Sequence, residues 1–243
     1  MLIINADDWG RSPEETDAAL ECYRAGRLTS VSAMVFMQDS ERGANLAKDA
    51  GLTDVGLHLN LSQRYNAASN GSVAAHETIV RFLTKSKYAV LLYNPGLRRA
   101  FKQVFQAQFD EFVRLYGREP SHIDGHQHRH LCANLLVDRV IPPGYVVRRN
   151  FTFAPGDKGI VNRSFRRIMD SWLANRYRIV DLFYSLKTCL RQGQLSRLTA
   201  ARDKVVELMV HPVNRDEASW LIGKDFEELT TGIPLGSFSQ VQV

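Results

Sequence analysis

Apolar residues along the chain fall in short runs, separated by longer amphipathic stretches. This is the rhythm of strands alternating with helices. Leu2 to Asn5 reads as a short buried strand. Pro13-Glu14-Glu15 opens a helix running to about Gly26, with Ser12 as its N-cap and proline at the first helical position. Thr29 to Phe36, rich in β-branched and apolar residues, reads as a second strand, and Ser40 to Ala50 as a helix closed by Gly51. Val55 to Leu61 is a third strand, and Gln63 to Ala75 a loop without periodicity. The pattern then predicts helices over 77–86 and 97–116, the second ended by Gly117, and a short strand over Ser121–Gly125. Leu131 to Val140 is a predicted helix stopped by Pro142-Pro143-Gly144. Tyr145–Phe153 reads as a strand, Arg163–Arg176 as a basic helix, and Ile179–Tyr184 and Val205–Val210 as strands. A helical tail covers 217–229.

Strands that alternate with helices pair in parallel through crossovers, giving a barrel or an open doubly wound sheet. The chain has no internal repeat, low-complexity tract or linker. The stretches 63–75 and 154–162 read as insertions, and residues 1–243 as one domain.

Composition narrows the class. With 44% hydrophobic and 23% charged residues the sequence is that of a soluble globular protein. No apolar run approaches the ~20 residues that span a bilayer. Met1 leads directly into Leu2-Ile3-Ile4, which reads as a core strand rather than a signal peptide. Three cysteines without metal-type spacing fit a reducing cytoplasm. The net charge of +5 is concentrated between Arg139 and Arg178. No aromatic-plus-basic module accompanies it, so a solvated helix face is favoured over a nucleic-acid reader.

The chemistry-bearing residues cluster at strand ends. Asp7 and Asp8 follow the first apolar strand, where barrel and open-sheet enzymes carry their chemistry. Adjacent carboxylates repel unless a cation or shared proton intervenes; a structural alternative is that one of them caps the turn at Gly10. In Val55-Gly56-Leu57-His58-Leu59-Asn60-Leu61, alternation puts the leucines on one face and His58 and Asn60 on the other. A polar group on a covered face must be hydrogen-bonded or bound to something, and a lone core histidine is commonly just hydrogen-bonded. The run His122-Ile123-Asp124-Gly125-His126-Gln127-His128-Arg129-His130 holds four of the seven histidines and an aspartate, too dense for a solvated surface. His211 ends the last strand and Pro212 halts it.

Ile3-Ile4-Asn5-Ala6-Asp7-Asp8-Trp9-Gly10, Gly56-Leu57-His58, His122–His130, Met209-Val210-His211-Pro212 and Leu235-Gly236-Ser237-Phe238, in this order, resemble the YdjC-like (ChbG-type) carbohydrate deacetylases. The resemblance implies a distorted (β/α) TIM-like barrel of the polysaccharide-deacetylase type. It implies an enzyme that removes acetyl from an N-acetylated saccharide with one divalent metal ion, and the family precedent suggests a homodimer. By motif position it makes Asp8, His58 and His126 the metal ligands, Asp7 the general base and His211 the general acid. Arg148 would orient Asp7, with Arg149 as an adjacent alternative. Two imidazoles and a carboxylate suit Zn²⁺, whereas family members have been described with Mg²⁺, so the metal stays open between them. His128 and His130 are left to hold His126 in one tautomer or to line the sugar pocket. Trp9 and Tyr65 are candidate sugar platforms, and Asn60 and His128 candidate polar contacts. The sequence departs from the family at Gly125, where serine is frequent, and in the loop Leu61–Tyr65. A metal-dependent phosphoesterase and a catalytically silent sugar-binding barrel are the competing readings; the first usually needs a second metal and more carboxylates.

Overall fold

A computed structural model describes residues 1–67, 71–153, 156–157 and 159–241, with backbone alone at Val161 and Phe165. Ala68, Ser69 and Asn70 of the expected loop, and Ala154, Pro155 and Lys158 of the expected 154–162 insertion, lie outside the described residues.

The described strands are β1 (Leu2–Trp9), β2 (Ser30–Ala33), β3 (Val55–Leu59), β4 (Ile123–Gly125), β5 (Leu182–Ser185) and β6 (Val206–Val210). The described α-helices are α1 (Pro13–Arg24), α2 (Ser40–Asp49), α3 (Val73–Thr84), α4 (Arg98–Tyr116), α5 (Ala133–Val137), α6 (Ile160–Ala174), α7 (Leu186–Gln192), α8 (Arg215–Ile222) and α9 (Lys224–Thr230). The six strands form one sheet in the order β4-β3-β2-β1-β6-β5. Registers for β1/β6, β5/β6 and β3/β4 are all parallel. The order is the cyclic order of the chain, open between β4 and β5. Neighbours in space are thus neighbours in sequence, as in a (β/α) barrel; a doubly wound sheet reverses direction at a switch point.

Two compact units divide the chain. One comprises Met1–Asp7, Asp17–Val31 and Pro143–Val243; the other comprises Asp8–Thr16 and Ser32–Pro142. In the first, Ile3, Val146, Val180, Phe183, Met209, Phe238 and Val241 form a buried cluster. The tail closes against β1: Leu2 N–H donates to the Pro234 carbonyl (2.8 Å) and Gly236 N–H to the Leu2 carbonyl (3.0 Å). In the second unit, α4 buries Phe101, Val104, Phe105, Gln108 and Phe112, one stripe of a 3.6-residue period. Gly117 ends α4 in the left-handed conformation (φ 67°), which costs glycine nothing.

Several elements differ from their expected bounds. β1 extends through Trp9, so Asp7 and Asp8 lie within the strand. The tail helix splits into α8 and α9 at Gly223, and α7 was not expected. Tyr145–Phe153 is not a strand; Val146 makes an isolated parallel bridge to Arg178. Val147 N–H reaches the Arg178 carbonyl (2.9 Å) and Thr152 N–H the Phe183 carbonyl (2.9 Å). Between them Asn150 N–H turns to the Asp170 carboxylate (3.1 Å), which interrupts any ladder.

Cys22, Cys132 and Cys189 are free and buried. Among the described residues, no helix is long and apolar enough to cross a membrane.

Candidate metal centre

The second unit gathers Asp8, His58 and His126. Asp8 sits near the end of β1 with φ 68°, in the left-handed region that aspartate tolerates better than most residues. His58 lies on β3 directly opposite Asp124 on β4. Residues in register share a face, so their side chains meet, and His58 Nδ1 is 2.8 Å from Asp124 Oδ1. His126 follows Gly125, and the next two residues, Gln127 and His128, are left-handed (φ 53° and 56°). That reversal buries His126 and His130 from one short segment. Gly125 permits it: a Cβ there would lie 2.9 Å from His130 N and 3.0 Å from His130 Cβ.

One ligand atom from each of Asp8, His58 and His126 lies within 4.8 Å of the others, and all three residues are buried. His126 Nδ1 is 2.8 Å and His58 Nε2 3.4 Å from Asp8 Oδ1. Burial works to raise the Asp8 carboxyl; where His126 and His58 are protonated, their hydrogen bonds and charges outweigh it and hold the carboxyl well below the usual carboxylate range. The second Asp8 oxygen accepts from Arg11 (3.2 Å), which also reaches Glu15 and Gln63.

Proton assignment around His58 bears on what this cluster holds. Ser32 Oγ donates to Asp124 Oδ2 (2.8 Å). With its one hydrogen so used, Ser32 accepts from His122 Nε2 (2.9 Å). If His122 is neutral, its Nδ1 is unprotonated and accepts from Ser121 Oγ (3.0 Å). Asp124, an acceptor at both oxygens, takes the Nδ1 proton of His58. In its neutral form, with the proton on Nδ1, His58 turns the lone pair of Nε2 towards the Asp8 carboxylate. Two electron-rich atoms face each other there, an arrangement that a cation or an added proton stabilises. The oxygen-plus-two-nitrogen donor set, with an anchored histidine behind it, fits a divalent transition or magnesium-type ion.

The first unit organises Asp7. Arg148 forks onto it with two 2.7 Å bonds, Nη1 to Oδ2 and Nη2 to Oδ1. Arg148 Nε donates to Glu207 (2.6 Å), and the guanidinium lies 5.0 Å from the Phe183 ring centroid. Asn5 Nδ2 adds a third bond to Asp7 (3.0 Å). Arg149, the alternative partner, is instead bound to Asp170 (2.6 Å). His211 is half-buried; its backbone N–H donates to Glu217 (2.9 Å), which also accepts from Asn214 (2.8 Å). Burial pushes the Glu217 carboxyl upward against those two bonds.

Two of the expected sugar contacts, Trp9 and Asn60, are fully buried. Trp9 is 0% exposed, and a Cβ at Gly43 would sit 3.0 Å from its Nε1, so it is a core residue with no face for a sugar. Asn60 is buried and committed to its own loop: its amide oxygen accepts from Ser62 and Gln63 N–H, and its Nδ2 donates to the Gln63 carbonyl (2.7 Å). Tyr65 is half-buried; its ring stacks on His76 (centroids 3.6 Å, 7°) and packs against Phe36 (5.0 Å). His128 stays half-buried on the left-handed turn. Asp124 was marked in sequence only as part of the histidine-rich run, without a role, and Ser32 and Glu207 were not singled out. Glu207 had a signal, a lone carboxylate in the apolar run Val206–Val210.

These features define an α/β barrel-type chain with a buried Asp/His cluster fit for a metal. Residues 1–231 match the family model described as YdjC-like protein, and the chain belongs to that family. It is 31% identical over 249 residues to a mouse carbohydrate deacetylase, covering 87% of this chain and 77% of the relative. A human carbohydrate deacetylase is 30% identical over 243 residues, with 87% and 74% covered. A chitooligosaccharide deacetylase of Proteus mirabilis is 32% identical over 136 residues, covering 56% and 52%. The crystal structure of an Enterococcus faecalis V583 protein superposes over 100% of this chain and 98% of that one, with a TM-score of 0.68 and 18% identity, a likeness of fold.

Proposed function

We propose that this chain is a carbohydrate N-deacetylase: a hydrolase that cleaves the acetamide of an amino sugar in an oligosaccharide or glycoconjugate. The observation that carries the reading is the convergence of three buried donor atoms within 4.8 Å, with the His58 tautomer set from behind. The names of the mouse, human and Proteus relatives support the reaction class.

In this reading Asp8, His58 and His126 hold one divalent ion, magnesium or zinc. When bound, such an ion supplies Lewis acidity, polarising the amide carbonyl and acidifying water. Asp7, joined to Asp8 by a peptide bond, accepts the proton of the attacking water. Arg148 fixes the Asp7 carboxylate in a two-point fork, so orientation costs no reorganisation at the reaction. His211 gives a proton to the departing nitrogen, without which an amine is too poor a leaving group. His128, half-buried beside His126, is the candidate that contacts sugar. The whole of 1–243 acts as one catalytic domain, homodimeric, in a reducing cytoplasm suited to three free thiols.

The test is acetate release from N,N′-diacetylchitobiose and from N-acetylated glycoconjugates, with and without chelator. Release that stops with EDTA and returns with Mg²⁺ or Zn²⁺ is expected. Chelator-insensitive release would remove the ion from the scheme, and absence of release from every N-acetylated saccharide would remove the reaction.

A further inference from the structure

The second unit carries a surface that the deacetylase reading does not use. Tyr88, Leu91, Leu92 and Tyr93 are 61%, 57%, 58% and 40% exposed, all within one short turn-rich segment. Four large apolar side chains displayed together are uncommon on a water-facing surface, where isolated ones are ordinary. The backbone that displays them is tied down. Leu91 N–H bonds the Tyr88 carbonyl (2.9 Å) and Leu92 N–H the Ala89 carbonyl (3.1 Å). Asn94 and Asn134 exchange two bonds (3.1 and 2.8 Å), and Tyr93 Oη donates to Asp138 (3.0 Å). These bonds bring the segment beside α5, whose Val137 is 60% exposed.

Charge separates the candidate occupants. From Thr78 to Phe109 the sequence has six basic residues, Arg81, Lys85, Lys87, Arg98, Arg99 and Lys102, and no Asp or Glu. All six are exposed, and one of them, Arg98, is ion-paired with Asp138 (3.0 Å). Lys87 Nζ lies 5.0 Å from the Tyr88 ring centroid, so cation and apolar surface are interleaved. A second copy of this chain docked by two-fold symmetry would set the same cations, the paired Arg98 apart, against each other. Single-stranded nucleic acid would match the charge and could stack on Tyr88 and Tyr93, but it would leave the exposed aliphatic pair Leu91 and Leu92 without a partner. A bilayer surface with anionic headgroups accepts both features: leucine enters the acyl boundary, tyrosine sits at headgroup level, and lysine and arginine meet phosphate.

We propose that residues 85–102 form a docking surface for anionic lipid membranes, on which the protein rests peripherally. Leu91 and Leu92 insert, and the flanking cations supply attraction that falls with salt. The full chain is tested by co-sedimentation with vesicles of phosphatidylcholine alone and of phosphatidylcholine with phosphatidylglycerol. Binding to the anionic vesicles is expected to be at least about tenfold tighter and to weaken with salt. The variant L91Q/L92Q, at two exposed positions, should lose at least about tenfold of that binding while its urea unfolding midpoint stays at the wild-type value. K85E/K87E should lower binding to anionic vesicles alone. Equal binding to both vesicle types, no binding to either, or retention by L91Q/L92Q overturns the proposal. So does equally tight binding of an RNA oligonucleotide, or a dimer in sedimentation equilibrium that L91Q/L92Q dissociates.

Discussion

Gly56→Ala is the smallest change that reaches the candidate metal centre from behind. A Cβ built at Gly56 would lie 2.2 Å from His122 Cε1, 2.3 Å from Nε2 and 2.4 Å from Nδ1. His122 is fully buried and bonded through both ring nitrogens, to Ser32 (2.9 Å) and Ser121 (3.0 Å). To admit the methyl group the ring must leave, and both bonds go with it. Overpacking a dense core costs ~1–3 kcal/mol, and a buried polar group left without its partner ~1–3 kcal/mol. The sum, ~2–6 kcal/mol, is a large fraction of the ~5–15 kcal/mol that holds a typical domain together. Urea unfolding at fixed pH, followed by tryptophan fluorescence, reads the loss as a lowered midpoint at unchanged slope. His122→Ala removes the obstacle, so the double variant should be more stable than the sum of the single losses implies, by ~1–3 kcal/mol of coupling. A Gly56→Ala protein within ~0.5 kcal/mol of wild type, or a strictly additive cycle, would refute the packing argument.

Three further outcomes follow from named contacts. Asp7→Asn should bind metal like the wild type in calorimetric titration while kcat falls ~10²–10⁴-fold; wild-type turnover would remove Asp7 as the base. Asp124→Asn should weaken metal binding ~10–100-fold, and the His58 Nδ1 proton resonance should shift or broaden, because its carboxylate acceptor is gone. His76, buried beneath Tyr65 and donating to the Asn60 carbonyl (3.0 Å), has its pKa lowered to about 4 from 6.5 by burial, which the Asn60 carbonyl and Glu77 only partly offset. A histidine whose folded pKa is depressed opposes protonation in the fold, so stability is lost as pH falls from about 6.5 to about 4. The full loss is ~3 kcal/mol, and His76→Gln should flatten the pH dependence of the urea midpoint across that window.

The alternation of strands and helices, and the strand ends that carry Asp8, His58, His126 and His211, were legible because buried strands and their polar punctuation leave local patterns. Partnerships were not. Asp124 serves His58 because β3 and β4 pair in a register that sets them opposite each other, and register is not written in either strand alone. Ser32 joins them from a strand that looks apolar and ordinary. Arg148 and Arg149 are neighbours of equal character in sequence; burial with Asp7 and Glu207 for one and with Asp170 for the other separates them. Tyr145–Phe153 had strand composition, yet its backbone bonds go partly to side chains, a choice made by tertiary neighbours. Trp9 stood beside two carboxylates and suggested a sugar platform, but aromatic residues fill cores more often than clefts.

The three shielded thiols make the molecule its own reporter. Burial pushes Cys22, Cys132 and Cys189 each up to about 11, so at neutral pH only ~10⁻⁴ of any of them is the nucleophilic thiolate. An alkylating reagent therefore reads momentary opening of the surrounding structure rather than surface chemistry. Cys132 belongs to one compact unit and Cys22 and Cys189 to the other. Mass-resolved alkylation over time thus clocks the breathing of each unit separately, with no label introduced.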